Sequence, residues 1–203
     1  MKLILVRHGE TAWNAERKIQ GGGSDIELSE TGLRQAMNLG QSLRSVKLSA
    51  IYSSPLKRAL VTAESIAWHH GLQVKVEPAL REMEVGELEG LSLVELGKNF
   101  SKFLVEWRDG EGAGKLPGGE SLVDLSNRVW PAVQYMLSNN KQGEIAVVSH
   151  YFVTVTIICK ALGLPLGHIQ RIRVQPSSKT VLDFSGNRPV LVSLGDTCHL
   201  KEV

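Results

Sequence analysis

The sequence predicts an α/β fold: a three-layer α/β/α sandwich on a mainly parallel sheet with an antiparallel edge. Three observations carry this reading. Short apolar runs at 2–6, 50–53, 74–76 and 145–149 alternate with segments whose apolar residues recur at helical spacing. Two further runs, 180–184 and 190–194, flank Ser185-Gly186-Asn187-Arg188 and read as a terminal hairpin, the source of the antiparallel edge. Residues 83–120 interrupt the alternation and read as a small cap over one end of the sheet.

The elements follow in order. Residues 2–6 are a buried strand ending in a Gly-bearing turn. A polar loop runs on to Glu27, with Gly21-Gly22-Gly23 as a flexible point. Ser29 has the chemistry of an N-cap, and Leu33, Ala36, Met37, Gly40 and Leu43 give an amphipathic helix over 30–44. After the strand at 50–53, Ser54-Pro55 reads as an N-cap with proline at the first helical position, where its missing N–H costs nothing. Leu56, Ala59, Leu60, Ala63 and Ile66 carry that helix to about His70, and Gly71 ends it. In the cap, 93–107 reads as one helix with Leu93, Leu96, Phe100, Phe103, Leu104 and Trp107 on its apolar side. Residues 110–114 and 117–119 read as loops. A long helix starts near Glu120 or Ser121, with Leu122, Leu125, Val129, Val133 and Met136 inward and Pro131 expected to kink or restart it. The strand at 145–149 precedes a mostly apolar helix, 152–162, stopped by Gly163 and Pro165.

Composition narrows the classes. The 203 residues fit a single domain, 1–203, long enough to bury a core without disulfides or structural metal. The net charge of +2 is near neutral, and the basic residues are dispersed, so no nucleic-acid partner is expected. Cys159 and Cys198 stand far apart and read as reduced intracellular thiols. No apolar run reaches the ~20 residues that span a bilayer, and no charged-then-apolar leader pattern opens the chain. The expectation is a cytoplasmic protein with no membrane association.

Three of the strand-like runs end in phosphate-binding chemistry: Arg7-His8-Gly9-Glu10-Thr11, Ser53-Ser54-Pro55 with Arg58, and Ser149-His150. In an open parallel sheet the carboxyl ends of strands meet at one crevice. Two imidazoles and two guanidinium groups delivered there make a cationic pocket suited to a phosphate dianion. Arginine grips such an anion through bidentate hydrogen bonds and keeps its charge. Arg58 stands in the first turn of a helix, where free N–H groups also favour anions. A neutral imidazole is a competent nucleophile near pH 7, its ordinary pKa being about 6.5. One histidine would attack phosphorus while the other, protonated, stabilises the developing charge. The leaving oxygen needs a proton, and Glu82, Glu84, Glu87 and Glu89 are all candidates on residue chemistry alone.

Five blocks in register resemble the histidine phosphatase (phosphoglycerate mutase-like) superfamily. They are Arg7-His8-Gly9-Glu10-Thr11 with Asn14, Gln20-Gly21, Asp25, Leu28-Ser29-Glu30-Thr31-Gly32 and Gln35-Ala36; Ser53-Ser54-Pro55-Leu56-Lys57-Arg58-Ala59 with Thr62-Ala63; Leu80-Arg81-Glu82 with Gly86, Glu89 and Gly90; Pro117-Gly118-Gly119-Glu120-Ser121 with Arg128; and Val148-Ser149-His150. The resemblance spans almost the whole chain and points to the phosphatase branch, near α-ribazole phosphatase and broad-specificity phosphatases. It implies a phosphoglycerate mutase-like fold with a cap, no cofactor and no metal. It makes His8 the nucleophile, Arg7, Arg58 and His150 the phosphoryl ligands, and Glu82 the general acid and then base. Asn14, Gln20 and Gly21 join the substrate-binding set. Tyr151 and Phe152 stand where many members carry glycine, and these side chains narrow the pocket or favour an apolar substrate group.

The resulting expectation is a phosphomonoesterase acting on a small phosphorylated metabolite. The rivals are a cofactor-dependent phosphoglycerate mutase and a non-catalytic phosphate-binding module. A mutase must hold a second anion, and the cap offers only scattered Lys98, Lys102, Arg108 and Lys115. A binding module is expected to lose the nucleophile or the acid, and His8 and Glu82 are both present. His69-His70 reads as an exposed helix end rather than a metal site, because adjacent helical residues point about 100° apart. A homodimer is the assembly to test.

Overall fold

Strand β1 (Lys2–Arg7) lies inside a sheet completed by β2 (Leu48–Ser53), β3 (Val74–Val76), β4 (Glu144–Ser149), β5 (Lys179–Asp183) and β6 (Val190–Asp196). The computed structural model describes residues 1–109, 113–140 and 143–200, and the side chains of Leu104, Arg108 and Asp109 fall outside that description. The strand order is β3-β2-β4-β1-β5-β6. The first four strands in that order run parallel, and β5 and β6 add the antiparallel edge.

Alternation along each central strand builds two cores. Leu3 and Leu5 of β1, with Ile145 and Val147 of β4, face α6 (Leu122–Asn139) and α7 (Tyr151–Leu162). Ile4, Val6, Ala146 and Val148 face the opposite layer, made of α2 (Glu30–Leu43) and α3 (Lys57–Ala67). A short helix α1 (Ala12–Ala15) lies in the segment expected to be loop, and its start is closed by a capping box between Thr11 and Asn14. The cap carries α4 (Leu93–Asn99) and α5 (Ser101–Asp109). Among the described residues no helix is long and apolar enough to cross a membrane.

Several boundaries differ from the sequence expectation. The helix expected over 93–107 is two helices, because Phe100 leaves helical geometry with φ −126° and ψ 11°. Ser54-Pro55 does not cap α3, whose N-cap is Leu56 with no side-chain hydrogen bond. The Ser54 hydroxyl lies closer to His150, 2.7 Å from Nε2, than to the Leu56 N–H, which it accepts at 3.3 Å. α3 ends at Ala67, and non-helical turns lead on to Gly71. α6 runs through Pro131 without restarting. Gly21-Gly22 is no flexible point: a Cβ on Gly22 would sit 2.6 Å from the Glu82 carbonyl oxygen, so these glycines permit close packing. His70 is only half exposed, unlike His69, because Leu43 of α2 packs beside it. The loop expected at 110–114 lies largely outside the described residues.

Helices α2 and α3 cross with their backbones almost touching at Gly40. A Cβ there would meet the Ser65 carbonyl oxygen at 2.2 Å. Gly40→Ala should therefore lower stability by about 1–3 kcal/mol, the usual cost of overpacking. A fall in the urea midpoint at unchanged m-value, with activity per folded molecule retained, is the expected result.

Candidate active site

Strand register delivers the chemistry to one end of the sheet. Arg7 of β1 pairs with Ser149 of β4, and Ser53 of β2 pairs with Val148. The ladder continues past the strand ends: His8 N–H donates to Ser149 O at 2.9 Å, and Ser54 N–H to Val148 O at 3.0 Å. His8 and His150 thus leave adjacent strands together, with ring centroids 5.1 Å apart. Behind His8, the Ser177 N–H donates to its carbonyl at 2.9 Å, although Ser177 must take φ +55° to do so.

The hydrogen bonds set the tautomers. His8 Nδ1 lies 2.7 Å from the Gly9 carbonyl oxygen, which can only accept, so Nδ1 carries the proton and the Nε2 lone pair is free. His150 Nδ1 accepts from Arg58 Nε at 3.3 Å, which leaves its proton on Nε2, 2.7 Å from Ser54 Oγ. Burial, then Arg58, holds both imidazoles well below their ordinary pKa. Each also feels Arg7, and on His8 the Gly9 hydrogen bond only partly opposes the shift. An imidazolium at His150 is therefore disfavoured while no anion is bound. Two arginines beside a buried ring make that charge unfavourable until an anion enters.

Arg58 is 0 % exposed. Its Nη1 and Nη2 donate to the carbonyls of Ser24 and Gly21 at 2.8 and 3.0 Å. Part of the fork expected to grip phosphate is thus engaged in folding residues 21–24 over the start of α3. Burial pulls its pKa down to about 10, against the opposing pull of Glu82, Asp25 and Glu89. Arg7 donates through Nη1 to Val174 O at 2.9 Å, and its guanidinium carbon lies 5.4 Å from the centre of the Tyr151 ring. Arg7 Nε is buried and has no protein partner.

Glu82 is buried beside these cations. Its two carboxyl oxygens accept the N–H groups of Met83, at 2.9 Å, and Phe152, at 3.2 Å. The Phe152 N–H lies in the first turn of α7, where no intrahelical acceptor exists. Burial raises the pKa of Glu82, outweighing those hydrogen bonds and the two arginines. A raised carboxyl pKa is the direction a general acid needs. Glu84, the nearest alternative, accepts from nothing catalytic: it lies 3.4 Å from the guanidinium of Arg81 at the surface.

Other expected residues have local duties. Asn14 Oδ1 closes the Thr11 capping box at 3.1 Å. Gln20 Oε1 accepts from Thr11 Oγ1 at 2.9 Å, while its Nε2 is buried without a protein partner. Gly21 N–H donates to Glu89 at 3.0 Å, and a Cβ there would meet Val85 at 2.5 Å. Tyr151 donates its hydroxyl to Ile172 O at 3.0 Å.

Sequence reasoning missed the supports. Ser54 holds His150, and Thr62 bridges the Gly9 N–H at 3.1 Å to the Arg58 carbonyl at 2.7 Å. Arg128 spans the loop that carries the acid. It donates to the carbonyls of Ala79, Arg81 and Glu82 at 2.7, 2.8 and 3.0 Å, and to both oxygens of Glu120 at 2.8 and 2.9 Å. The block pattern around Glu120 and Arg128 was visible; that these two tether the Glu82 loop was not.

A family model described as histidine phosphatase superfamily (branch 1) matches residues 3–197. A probable phosphoglycerate mutase GpmB from Proteus mirabilis is 34% identical over 100% of this chain and 96% of its own length. Bacillus stearothermophilus YhfR superposes with a TM-score of 0.90 at 30% identity, covering 98% of this chain and 99% of its own. A phosphoserine phosphatase from Entamoeba histolytica, in complex with 3-phosphoglyceric acid, superposes at 0.85 with 33% identity, covering 98% of both chains.

The lowered histidine pKa values couple stability to acid. Below about pH 6.5 the unfolded chain protonates imidazoles that the folded chain keeps neutral, so stability falls as pH drops. His8→Asn and His150→Asn should each flatten that loss by up to about 1.4 kcal/mol per pH unit, read from urea midpoints between about pH 7 and pH 5. Arg128→Ala and Arg128→Lys should both cut turnover of alkyl phosphates at least about tenfold, since charge-assisted hydrogen bonds worth roughly 1.5–3 kcal/mol hold the acid loop. The burst of p-nitrophenol from its phosphate ester should fall less, because that leaving group needs no proton.

Proposed function

Because the chain belongs to the histidine phosphatase superfamily (branch 1), we propose that it is a phosphomonoesterase of small phosphorylated metabolites, working through phosphohistidine at His8. One observation carries the reading. The Nδ1 proton of His8 is anchored on Gly9 O while its other nitrogen stays free, within a site that also holds Arg7, Arg58 and a buried Glu82.

Arg7 and Arg58 bind the phosphoryl oxygens and offset their charge. The anion restores the ordinary affinity of His150 for a proton, so that ring becomes a further donor. His8 Nε2 then attacks phosphorus in line with the ester oxygen. The P–O bond to the alcohol breaks, and the departing oxygen takes the proton of Glu82. The N–P bond leaves His8 with its Nδ1–H still on Gly9 O. In the second half, the Glu82 carboxylate removes a proton from water as its oxygen attacks phosphorus. The P–N bond breaks, inorganic phosphate leaves, and His8 and Glu82 return to their starting forms.

A second reading comes from the name of the Proteus mirabilis relative, a probable phosphoglycerate mutase. A mutase keeps the phosphoryl group from water and needs cations for a second anionic group. In the cap, Lys102 lies within ion-pair distance of Glu106, and Lys115 of Asp124. Neither pairing favours capture of a second anion.

His8→Ala should abolish turnover and leave no acid-labile phosphoryl label on the protein. Wild-type enzyme should release inorganic phosphate and isomerise 3-phosphoglycerate negligibly. Efficient isomerisation with little phosphate release would overturn the hydrolytic reading in favour of the mutase.

A further inference from the structure

A cleft of about 510 Å³ opens between the cap and α7. Leu93 and Leu96 of α4, Val105 and Trp107 of α5, and Tyr151 and Phe152 of α7 line it. Its location is chemically specific. The Phe152 backbone donates to Glu82, Tyr151 follows His150 in the chain, and Arg7 lies over the Tyr151 ring. Tyr151 and Phe152 thus touch both the cleft and the groups that hold the acid and the phosphoryl site.

None of the described residues lining the cleft is charged, and Gln170 brings an amide to an otherwise apolar wall. The Tyr151 hydroxyl is already committed to Ile172 O. The Trp107 indole N–H is committed to Gly114 O at 2.8 Å. A carboxylate or a sugar placed here would lose water without gaining partners, which is unfavourable above all for a charge. A hydrocarbon or aromatic group would gain on entering.

We propose that this cleft is the leaving-group subsite, and that the preferred substrates are phosphate monoesters of apolar, uncharged alcohols, aromatic or medium-chain aliphatic. This rests on the phosphomonoesterase reading above and narrows it. The described lining discriminates against alcohols bearing a carboxylate, such as 3-phosphoglycerate and phosphoserine.

The test compares alkyl esters, so that leaving-group acidity stays similar. Phosphate release from 2-phenylethyl phosphate and hexyl phosphate is measured beside 3-phosphoglycerate and phosphoserine. The apolar esters should have kcat/KM at least tenfold higher. Along ethyl, butyl and hexyl phosphate, each methylene should add up to about fourfold, the factor for burying a CH₂ group. Leu96→Lys, on the half-buried face of α4, should cut the ratio of hexyl phosphate to 3-phosphoglycerate at least tenfold, while phosphoryl trapping on His8 persists. Val105→Lys, on an exposed helix position, should move the ratio the same way should the first variant misfold. Equal or better turnover of 3-phosphoglycerate or phosphoserine would overturn the subsite and leave the phosphatase reading standing. So would an unchanged ratio in both variants. No phosphate release from any ester, with no label on His8, would overturn both.

Discussion

Arg58 is a permanently charged group with no contact with solvent, and the site is arranged around satisfying it. Taking such a cation out of water is costly unless its donors all find acceptors. Backbone carbonyls at Gly21 and Ser24 and the ring nitrogen of His150 take three of its five N–H groups, leaving two that an anion can take. Each partner has a consequence. The carbonyls come from a loop that must fold back over α3, which requires glycine where it presses on the segment carrying Glu82. Before an anion binds, that ring nitrogen acts as an acceptor, so the resting tautomer of His150 follows from the arginine.

Charge elsewhere matters less. Lys57 and Glu27 form an ion pair at 2.8 Å, but both side chains are largely exposed, and such pairs contribute about 0–1 kcal/mol. Arg128 and Glu120 are mostly covered, and their hydrogen bonds close a loop rather than decorate a surface. A carboxylate that faces both Arg128 and the Glu84 N–H stays ionised below its ordinary range despite burial, which opposes that shift. Glu120 and Glu82 are thus shifted in opposite directions, the first downward through Arg128 and the Glu84 N–H, the second upward by burial.

The fold was legible because its signals are local and repeated. Alternating strands and helices specified the parallel sheet, and Ser185-Gly186-Asn187-Arg188 marked the hairpin between β5 and β6. The helix boundaries that failed were settled by tertiary contacts. Ser54 has an ideal capping side chain, yet a buried imidazole competes for it more strongly than the helix end does. Gly21 and Gly22 look flexible in a sequence because glycine means either freedom or closeness, and only the neighbouring backbone decides. At the site, residue types at strand ends announced the two imidazoles and two arginines. Choosing Glu82 over its neighbours needed the family blocks, since the deciding quantity is burial. How strongly burial and Arg58 disfavour an imidazolium at His150 was not legible either, since a motif carries no information on how far two guanidinium groups are desolvated.

The order of strands has a consequence for how the molecule comes into being. β1 is made first, but its neighbours in the sheet are β4 and β5, made near the end, and the nucleophile's own carbonyl is held by Ser177. Contacts of such long sequence separation are slow to close. During synthesis β1 therefore waits without its sheet partners until β4 and β5 have followed it. A polypeptide that stopped short of β4 would lack the strand that brings His150 beside His8.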